Sequence, residues 1–240
     1  MSEWAPKRFW TDATTTQTED GYGVLLDGRP VRTPAKALLV VPSHAIAERI
    51  AAEFAAQEDR IDPVTMPFTR TANAAIDKVS LQRAEVADMI AEYGDSDLLC
   101  YRADAPDELV ARQETQWTPL LDWAAETLNA RLEPRVGVMH EPQDATALSE
   151  LRRRVHDLSA FQLTAFSDLV SISGSLVIGF AAKEGLHRAE DLWTISQLDE
   201  IWQAEQWGTD EEAQEMALLK QAAFLHADVF LRLIDGQSTS

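Results

Sequence analysis

Asp95, Asp97 and His140 are the residues whose types could support metal-dependent hydrolysis in this chain. Carboxylates and imidazoles bind divalent cations, and a carboxylate can act as a general base toward water. The two aspartates nevertheless follow a helix stop predicted at Gly94, where aspartate commonly caps backbone N–H groups. The five histidines lack the spacing of a metal-binding motif. A small metal-dependent hydrolase is therefore the alternative function, and capping the simpler interpretation.

Nucleophilic catalysis finds little support in the sequence. Cys100 is the single cysteine, and the acidic residues Asp95 and Asp97 near it would raise the pKa of its thiol. Gly174 and Ser175 lack the second glycine of a nucleophile elbow, and no P-loop is present. One cysteine also excludes an internal disulfide and suits a reducing compartment. We therefore predict no catalytic residue, no cofactor, no metal site and no enzymatic activity.

Binding chemistry is offered by the segment W-Q-A-E-Q-W-G-T-D-E-E-A at 202–213. Tryptophan is enriched at the energetic centres of protein interfaces, and carboxylates can pair with a cationic partner surface. The predicted partner-binding residues are Glu211, Trp207, Asp210, Glu212 and Trp202. The other interpretation is a well-capped helix whose tryptophans pack in the core.

Two helices must position this segment. Apolar residues at helical spacing predict one helix over 191–207 and another from the acidic cluster almost to the C-terminus, with Met216, Leu218 and Leu219 in its apolar pattern. Gly208 fits the position just past a helix end. Thr209 and Glu212 match a capping box for the second helix, in which the Glu212 side chain turns back to the Thr209 amide.

The first 42 residues have the pattern of short antiparallel strands. Tyr22–Leu26 and Ala37–Val41 are β-prone, Asp27 and Gly28 predict a tight turn between Leu26 and Pro30–Thr33, and Phe9 with Trp10 could add another strand. Ser43 can cap the first helix, in which Ile46, Ile50 and Phe54 share one face.

Beyond Pro67 the pattern is helical. We predict a helix over 69–79, one capped by Ser80 that ends at Gly94, and one over 106–130 that Pro119 kinks or splits. Residues 131–143 form a loop or short strand, and helices follow at 145–158, 161–171, 175–182 and 191–207. The predicted fold class is α+β: a β-rich N-terminal domain with one helix over 1–67, and a helical domain over 68–240.

The amino-acid composition excludes some classes of binding partner. The 240 residues carry 40 acidic and 21 basic side chains, a net charge of −19, which repels nucleic acid and anionic membranes and favours either solubility or a basic partner surface. The apolar fraction of 45% with seven tryptophans is typical of a folded chain. The start of the sequence has neither a secretory apolar core nor a transit-peptide composition, and the apolar run 169–182 is too short for a membrane span. We predict a cytoplasmic bacterial protein without membrane insertion.

Six segments, in order along almost the whole chain, resemble one family. They are D-G-R-P-V-R-T-P-A-K at 27–36, I-D-P-V-T-M-P-F-T-R-T-A-N-A-A-I-D at 61–77, Y-G-D-S-D-L-L-C-Y-R at 93–102, W-T-P-L-L-D-W-A at 117–124, S-G-S-L-V-I-G-F-A at 173–181 and W-G-T-D-E-E-A at 207–213. The family is the assembly chaperone of the catalytic head of F-type ATP synthase. Phe54 departs from it, since that position is commonly tryptophan.

The resemblance implies a β-rich domain followed by a helical one, without enzymatic activity. It implies a partner, the unassembled alpha subunit, which an ATP-independent chaperone, a monomer when free, would keep from aggregating until the beta subunit replaces it. The family's W-G-x-x-E carboxylate corresponds by position to Glu211. A general interaction module, which binds a folded partner without suppressing aggregation, is the remaining interpretation.

Overall fold

The computed structural model describes residues 7–236. Residues 1–6, part of the region in which a targeting segment was sought, lie outside it. The described part contains six short strands and ten α-helices, which confirms the predicted α+β class. The strands are β1 (Ala13–Thr18), β2 (Gly21–Leu26), β3 (Arg29–Pro30), β4 (Val40–Val41), β5 (Tyr101–Arg102) and β6 (Arg135–Val136). The helices are α1 (His44–Ala55), α2 (Pro67–Ala74), α3 (Arg83–Ala91), α4 (Asp107–Thr127), α5 (Ala145–His156), α6 (Ala160–Ser173), α7 (Leu176–Lys183), α8 (Ala189–Ser196), α9 (Leu198–Trp207) and α10 (Glu211–Ile234).

The chain divides into two compact units. The first extends to Arg83 and also includes residues 159–165 and the chain from Val229 onward, whereas the second comprises 84–158 and 166–228. The first unit thus continues past residue 67 and takes in two later helical segments. The boundary near residue 67 stays a prediction.

An antiparallel sheet packed on α1 organises the first unit. Strand β2 pairs with β1, β3 and β4. The Ser43 Oγ accepts a hydrogen bond from the Ile46 backbone N–H at 3.3 Å, so the predicted cap is confirmed. The apolar face of α1 (Ile46, Ile50 and Phe54) is buried as its spacing indicated. The Trp10 indole N–H donates to the Phe54 carbonyl at 3.3 Å and the two rings meet edge to face.

Several predicted elements differ from the structure. The segment around Phe9 and Trp10 is not a strand, and the threonine-rich β1 was missed although threonine favours strands. Ser80 does not cap a helix, because its hydroxyl donates to the Ile76 carbonyl at 2.6 Å after a π-helical segment at Ala75–Val79. The predicted helix over 191–207 is two helices that meet at Gln197.

Helix α4 runs without interruption through Pro119, so the predicted split is wrong, whereas the alternative of a kink stays a prediction. A proline inside a helix costs about 3 kcal/mol. Trp117, Leu120 and Leu121 on both sides of it are buried, and each buried side chain of this size contributes about 1.5–3 kcal/mol. Packing therefore keeps α4 continuous.

Candidate partner-binding surface

Four of the five predicted partner-binding residues are exposed where α9 turns into α10. Trp207 ends α9 with 79% of its surface exposed. Asp210, Glu211 and Glu212 follow at the start of α10 and are exposed as well. A tryptophan this exposed is unusual, since tryptophan is highly buried on average.

Gly208 and Asp210 shape this turn. Gly208 has φ +90° and its backbone N–H donates to the Ala204 carbonyl at 2.9 Å, which confirms its predicted place at the helix end. The Asp210 Oδ1 accepts from the Glu212 N–H at 3.1 Å, and the Asp210 carbonyl accepts the first helical bond, from Gln214. Asp210 is therefore the cap. The predicted capping box is wrong, because α10 begins at Glu211 and Asp210, not Thr209, supplies the capping oxygen.

Glu211 has the position that a recognition carboxylate needs. It is the first residue of α10, where the helix dipole stabilises negative charge. Its exposed side chain makes no hydrogen bond or ion pair with any residue between 7 and 236. The carboxylate is consequently available to a cation outside the chain, whereas the Asp210 carboxylate already caps the helix.

Trp202 lies behind this surface. It is 6% exposed, and the Arg112 guanidinium carbon lies 4.9 Å from the centre of its ring. The same guanidinium pairs with Glu205 at 2.9 Å, a contact that raises the pKa of Arg112. Stacking and ion pairing together fix α9 against α4. Trp202 thus supports the surface from beneath.

A cavity of about 340 Å³ connects the two tryptophans. Its lining residues are Ala105, Pro106, Leu109, Asp199, Trp202, Gln203, Gln206 and Trp207. The wall beside Trp202 is mostly apolar, and Gln203 and Gln206 supply amide groups at the α9 side. An apolar side chain of a partner could enter here and reach Trp202.

Helix α4 holds both α8 and α9 in place through hydrogen bonds. The Gln113 side-chain N–H donates to the Asp199 carboxylate at 2.8 Å. The indole N–H of the buried Trp117 donates to the Ile195 carbonyl at 2.9 Å. These partly buried bonds give the surface a rigid base, which lowers the ordering cost of binding.

The first half of α10 is exposed on all sides, a feature that the sequence reasoning missed. Met216, Leu218 and Leu219 are between 51% and 66% exposed, although their spacing predicted an apolar core face. The buried face of α10 is set by Phe224, and three and seven residues earlier it carries Gln221 and Ala217. A polar and a small residue at these two positions indicate that the first half of α10 has no large apolar side chain on this face. We call Trp207, Asp210, Glu211, Glu212, Met216, Leu218 and Leu219 the corner surface.

The corner surface is strongly acidic. Between Asp199 and Glu215 the chain has seven carboxylates and no lysine or arginine. Arg112 of α4 brings a positive charge to this segment through its ion pair with Glu205. Exposed apolar side chains interspersed with carboxylates are residue types that protein interfaces use, and a single sign of charge favours an oppositely charged partner.

The residues of the alternative hydrolase site have structural partners. Asp97 is fully buried, and its two oxygens accept from the backbone N–H groups of Leu99 and Val177 at 3.0 Å each, which confirms capping. Asp95 accepts from the Gln143 N–H at 2.7 Å and pairs with His140 at 3.2 Å. Among residues 7–236, no group of three His, Cys, Asp or Glu could hold a metal ion. Burial is the main cause that raises the pKa of the Cys100 thiol to about 12, and the negative charge of Asp97 is the second cause.

No helix in residues 7–236 has both the length and the hydropathy of a membrane span. The fold is that of an α+β protein, and its corner surface exposes a tryptophan and carboxylates, residue types that protein interfaces use.

Comparison with known proteins agrees with this class. A family model described as ATP12 chaperone protein matches residues 7–125. The Atp12 crystal structure from Paracoccus denitrificans is similar to this chain, with 46% identity, a TM-score of 0.93, and coverage of 97% of this chain and 100% of that one. An aspartate-to-lysine variant of the same Paracoccus protein has a TM-score of 0.94 at equal identity and coverage.

More distant proteins agree as well. An Agrobacterium tumefaciens structure, described as a candidate chaperone, is 40% identical with a TM-score of 0.89, covering 96% of this chain and 85% of that one. The Schizosaccharomyces pombe protein named Protein atp12, mitochondrial is 25% identical over 225 residues, which are 88% of this chain and 76% of that protein. The chain belongs to the ATP12 chaperone family, and the resemblance seen in the sequence is confirmed.

Proposed function

We propose that this protein is an ATP-independent assembly chaperone of F-type ATP synthase, which binds the unassembled alpha subunit and prevents its aggregation until the beta subunit replaces it. The observation that carries the proposal is the corner surface, where an exposed tryptophan and three exposed apolar side chains adjoin uncommitted carboxylates. Membership in a chaperone family supports the holding role, and the resemblance of the sequence segments supplies the partner.

The mechanism follows from mass action. An unassembled subunit exposes the apolar surface that its partner will later bury, and this surface drives self-association. A chaperone that covers the surface lowers its free concentration without consuming ATP and without catalysis. Trp207, Met216, Leu218 and Leu219 provide apolar area for this purpose.

The carboxylates and Trp202 each have a separate part in the proposed complex. Glu211 pairs with a cation of the alpha subunit, while Asp210 caps α10 and so fixes the direction in which Glu211 is presented. Glu212 adds to the negative field, and Trp202 closes the wall of the cavity that a partner side chain enters. Charge at a rim increases specificity and encounter rate more than affinity. Replacement by the beta subunit requires that the chaperone bind the alpha subunit with only moderate affinity.

A cytoplasmic location in a bacterium stays a prediction.

The experiment is a charge reversal, Glu211→Lys. We expect it to weaken capture of a purified alpha subunit at least tenfold in a pull-down titration, because an attractive pair becomes a repulsive one. Glu126→Lys, an equal charge change at the exposed end of α4, is the matched control and should bind as the wild type does. Equal capture by a folded Glu211→Lys protein would refute the role of this residue.

A further inference from the structure

A groove in the first unit has no role in the proposal so far. Its volume is about 420 Å³, and it lies between the loop that follows β3 and the start of α2. Trp10, Leu39 and Met66 form its apolar floor and are buried. Phe9 lines it with 68% of its surface exposed, its ring edge to face against Trp10 at 5.2 Å.

Two polar atoms of the groove lining lack hydrogen-bond partners. The Thr33 Oγ1 and the Asn73 Oδ1 are buried and make no hydrogen bond with any residue in the described chain. Thr33 as a whole is only 2% exposed. An unsatisfied buried oxygen destabilises a fold by more than a typical hydrogen bond stabilises it, because its full desolvation cost is left uncompensated. Because both atoms have almost no accessible surface, a ligand with N–H donors, such as an extended peptide backbone, satisfies them when the groove lining shifts slightly on binding.

Four cations surround the groove. Arg29, Arg32, Lys36 and Arg70 line it and are exposed. Within residues 7–236 none of the four has a carboxylate within salt-bridge distance. The chain from 7 to 83 has ten basic and ten acidic residues, whereas the whole protein has 21 and 40. The groove therefore has a positive rim in a protein that is otherwise strongly negative.

Nearby carboxylates bind backbone groups, and within residues 7–236 none forms an ion pair with these cations, although Asp27 and Glu53 interact at longer range with Arg29 and Arg70. Glu53 accepts from the N–H groups of Phe68 and Thr69 at 2.7 and 2.8 Å. Asp62 accepts from the Val64 N–H at 3.0 Å, and Asp27 from the N–H groups of Thr11 and Asp12. Binding of an anionic group at the rim would thus gain ion pairs without breaking any internal pair.

We infer that this basic-rimmed groove is a second binding site of the protein. It takes an extended segment of the alpha subunit in which an apolar side chain is flanked by carboxylates. The apolar side chain occupies the floor between Trp10 and Met66, the peptide backbone donates to Thr33 and Asn73, and the carboxylates pair with Arg29 and Lys36. Since the occupant belongs to the alpha subunit, this inference rests on the proposed function.

The test compares two double charge reversals for binding to the purified alpha subunit, measured by fluorescence titration at low and high salt. Arg29→Glu/Lys36→Glu changes rim residues whose side chains make no hydrogen bond with the described chain. Arg131→Glu/Arg188→Glu changes the net charge equally at exposed sites outside the groove. We expect at least a tenfold loss of affinity and a smaller salt dependence for the rim variant, and wild-type binding for the control. Arg32→Glu/Arg70→Glu replaces the rim variant should that one not fold.

A second readout identifies the occupant. Photocrosslinking from p-benzoylphenylalanine placed at Phe9 should label an alpha-subunit peptide that contains aspartate or glutamate beside an apolar residue. Wild-type affinity in a folded rim variant, a crosslink to a second copy of this chain, or a crosslinked peptide without carboxylates would overturn the inference. In each of these outcomes the wild-type protein still binds the alpha subunit. If the proposed function itself fails, the wild-type protein does not bind the alpha subunit at all.

Discussion

Replacing Trp207 by alanine separates binding from stability. The side chain is 79% exposed, so the free energy of unfolding should change by less than about 0.5 kcal/mol, as for surface substitutions generally. A tryptophan can bury up to about 250 Å², which leaves on the order of 200 Å² for a partner to cover. At about 25 cal/mol per Å² this area sets an upper limit of about 5 kcal/mol for its contribution to binding.

The measurable loss should be smaller, because ordering the side chain and desolvating its N–H oppose binding. We expect the binding free energy to weaken by about 2–3 kcal/mol, which raises the dissociation constant for the alpha subunit about 30- to 150-fold. Isothermal titration calorimetry measures the affinity, and urea unfolding measures stability. Leu81→Ala is the matched control, since Leu81 has the same exposed fraction but lies in the first unit. Equal affinity of Trp207→Ala and wild type would refute the assignment of this surface.

Two predictions concern the fold. Burial raises the pKa of Asp97 to about 6, so the folded chain holds this proton more tightly than the unfolded chain does, and the stability contributed by Asp97 is lost as the pH rises from about 4 to 6. The loss is at most about 3 kcal/mol; urea unfolding between pH 4 and 7 should show it for wild type relative to Asp97→Asn, and a constant difference between the two proteins across that range would contradict it. Gly179→Ala should lower the free energy of unfolding by about 1–3 kcal/mol, because the new Cβ would lie 2.6 Å from the Val170 Cγ2 and 3.2 Å from the Phe166 ring. A urea midpoint equal to or above that of wild type would show instead that helix propensity outweighs the clash.

Local chemistry made part of the fold predictable. Ser43 before an amphipathic run predicts a helix start, because one side-chain oxygen satisfies one backbone N–H. Asp97 capping was predictable for the same reason. Pro119 could not be judged locally, since the burial of Trp117 and Leu120 depends on residues distant in sequence. The division of 191–207 at Gln197 has no glycine or proline to mark it.

The candidate site shows the same limit. Trp207 and Trp202 have the same residue type and lie five positions apart, yet one is exposed and the other packs beneath Arg112. Their difference is set by α4, about ninety residues earlier in the chain. The cap is Asp210 and not the neighbouring Thr209, and because both residue types favour a cap position, the sequence alone does not choose between them. The groove with its positive rim could not be foreseen, since its lining comes from separate segments between residues 9 and 73.

The central claim is that this chain holds the unassembled alpha subunit. The most direct measurement is light scattering of a denatured alpha subunit diluted into buffer with equimolar chaperone and no ATP, followed by size-exclusion chromatography with mass determination. The account predicts suppressed scattering and a one-to-one complex, which dissociates when the beta subunit is added. Undiminished scattering with no complex would contradict it.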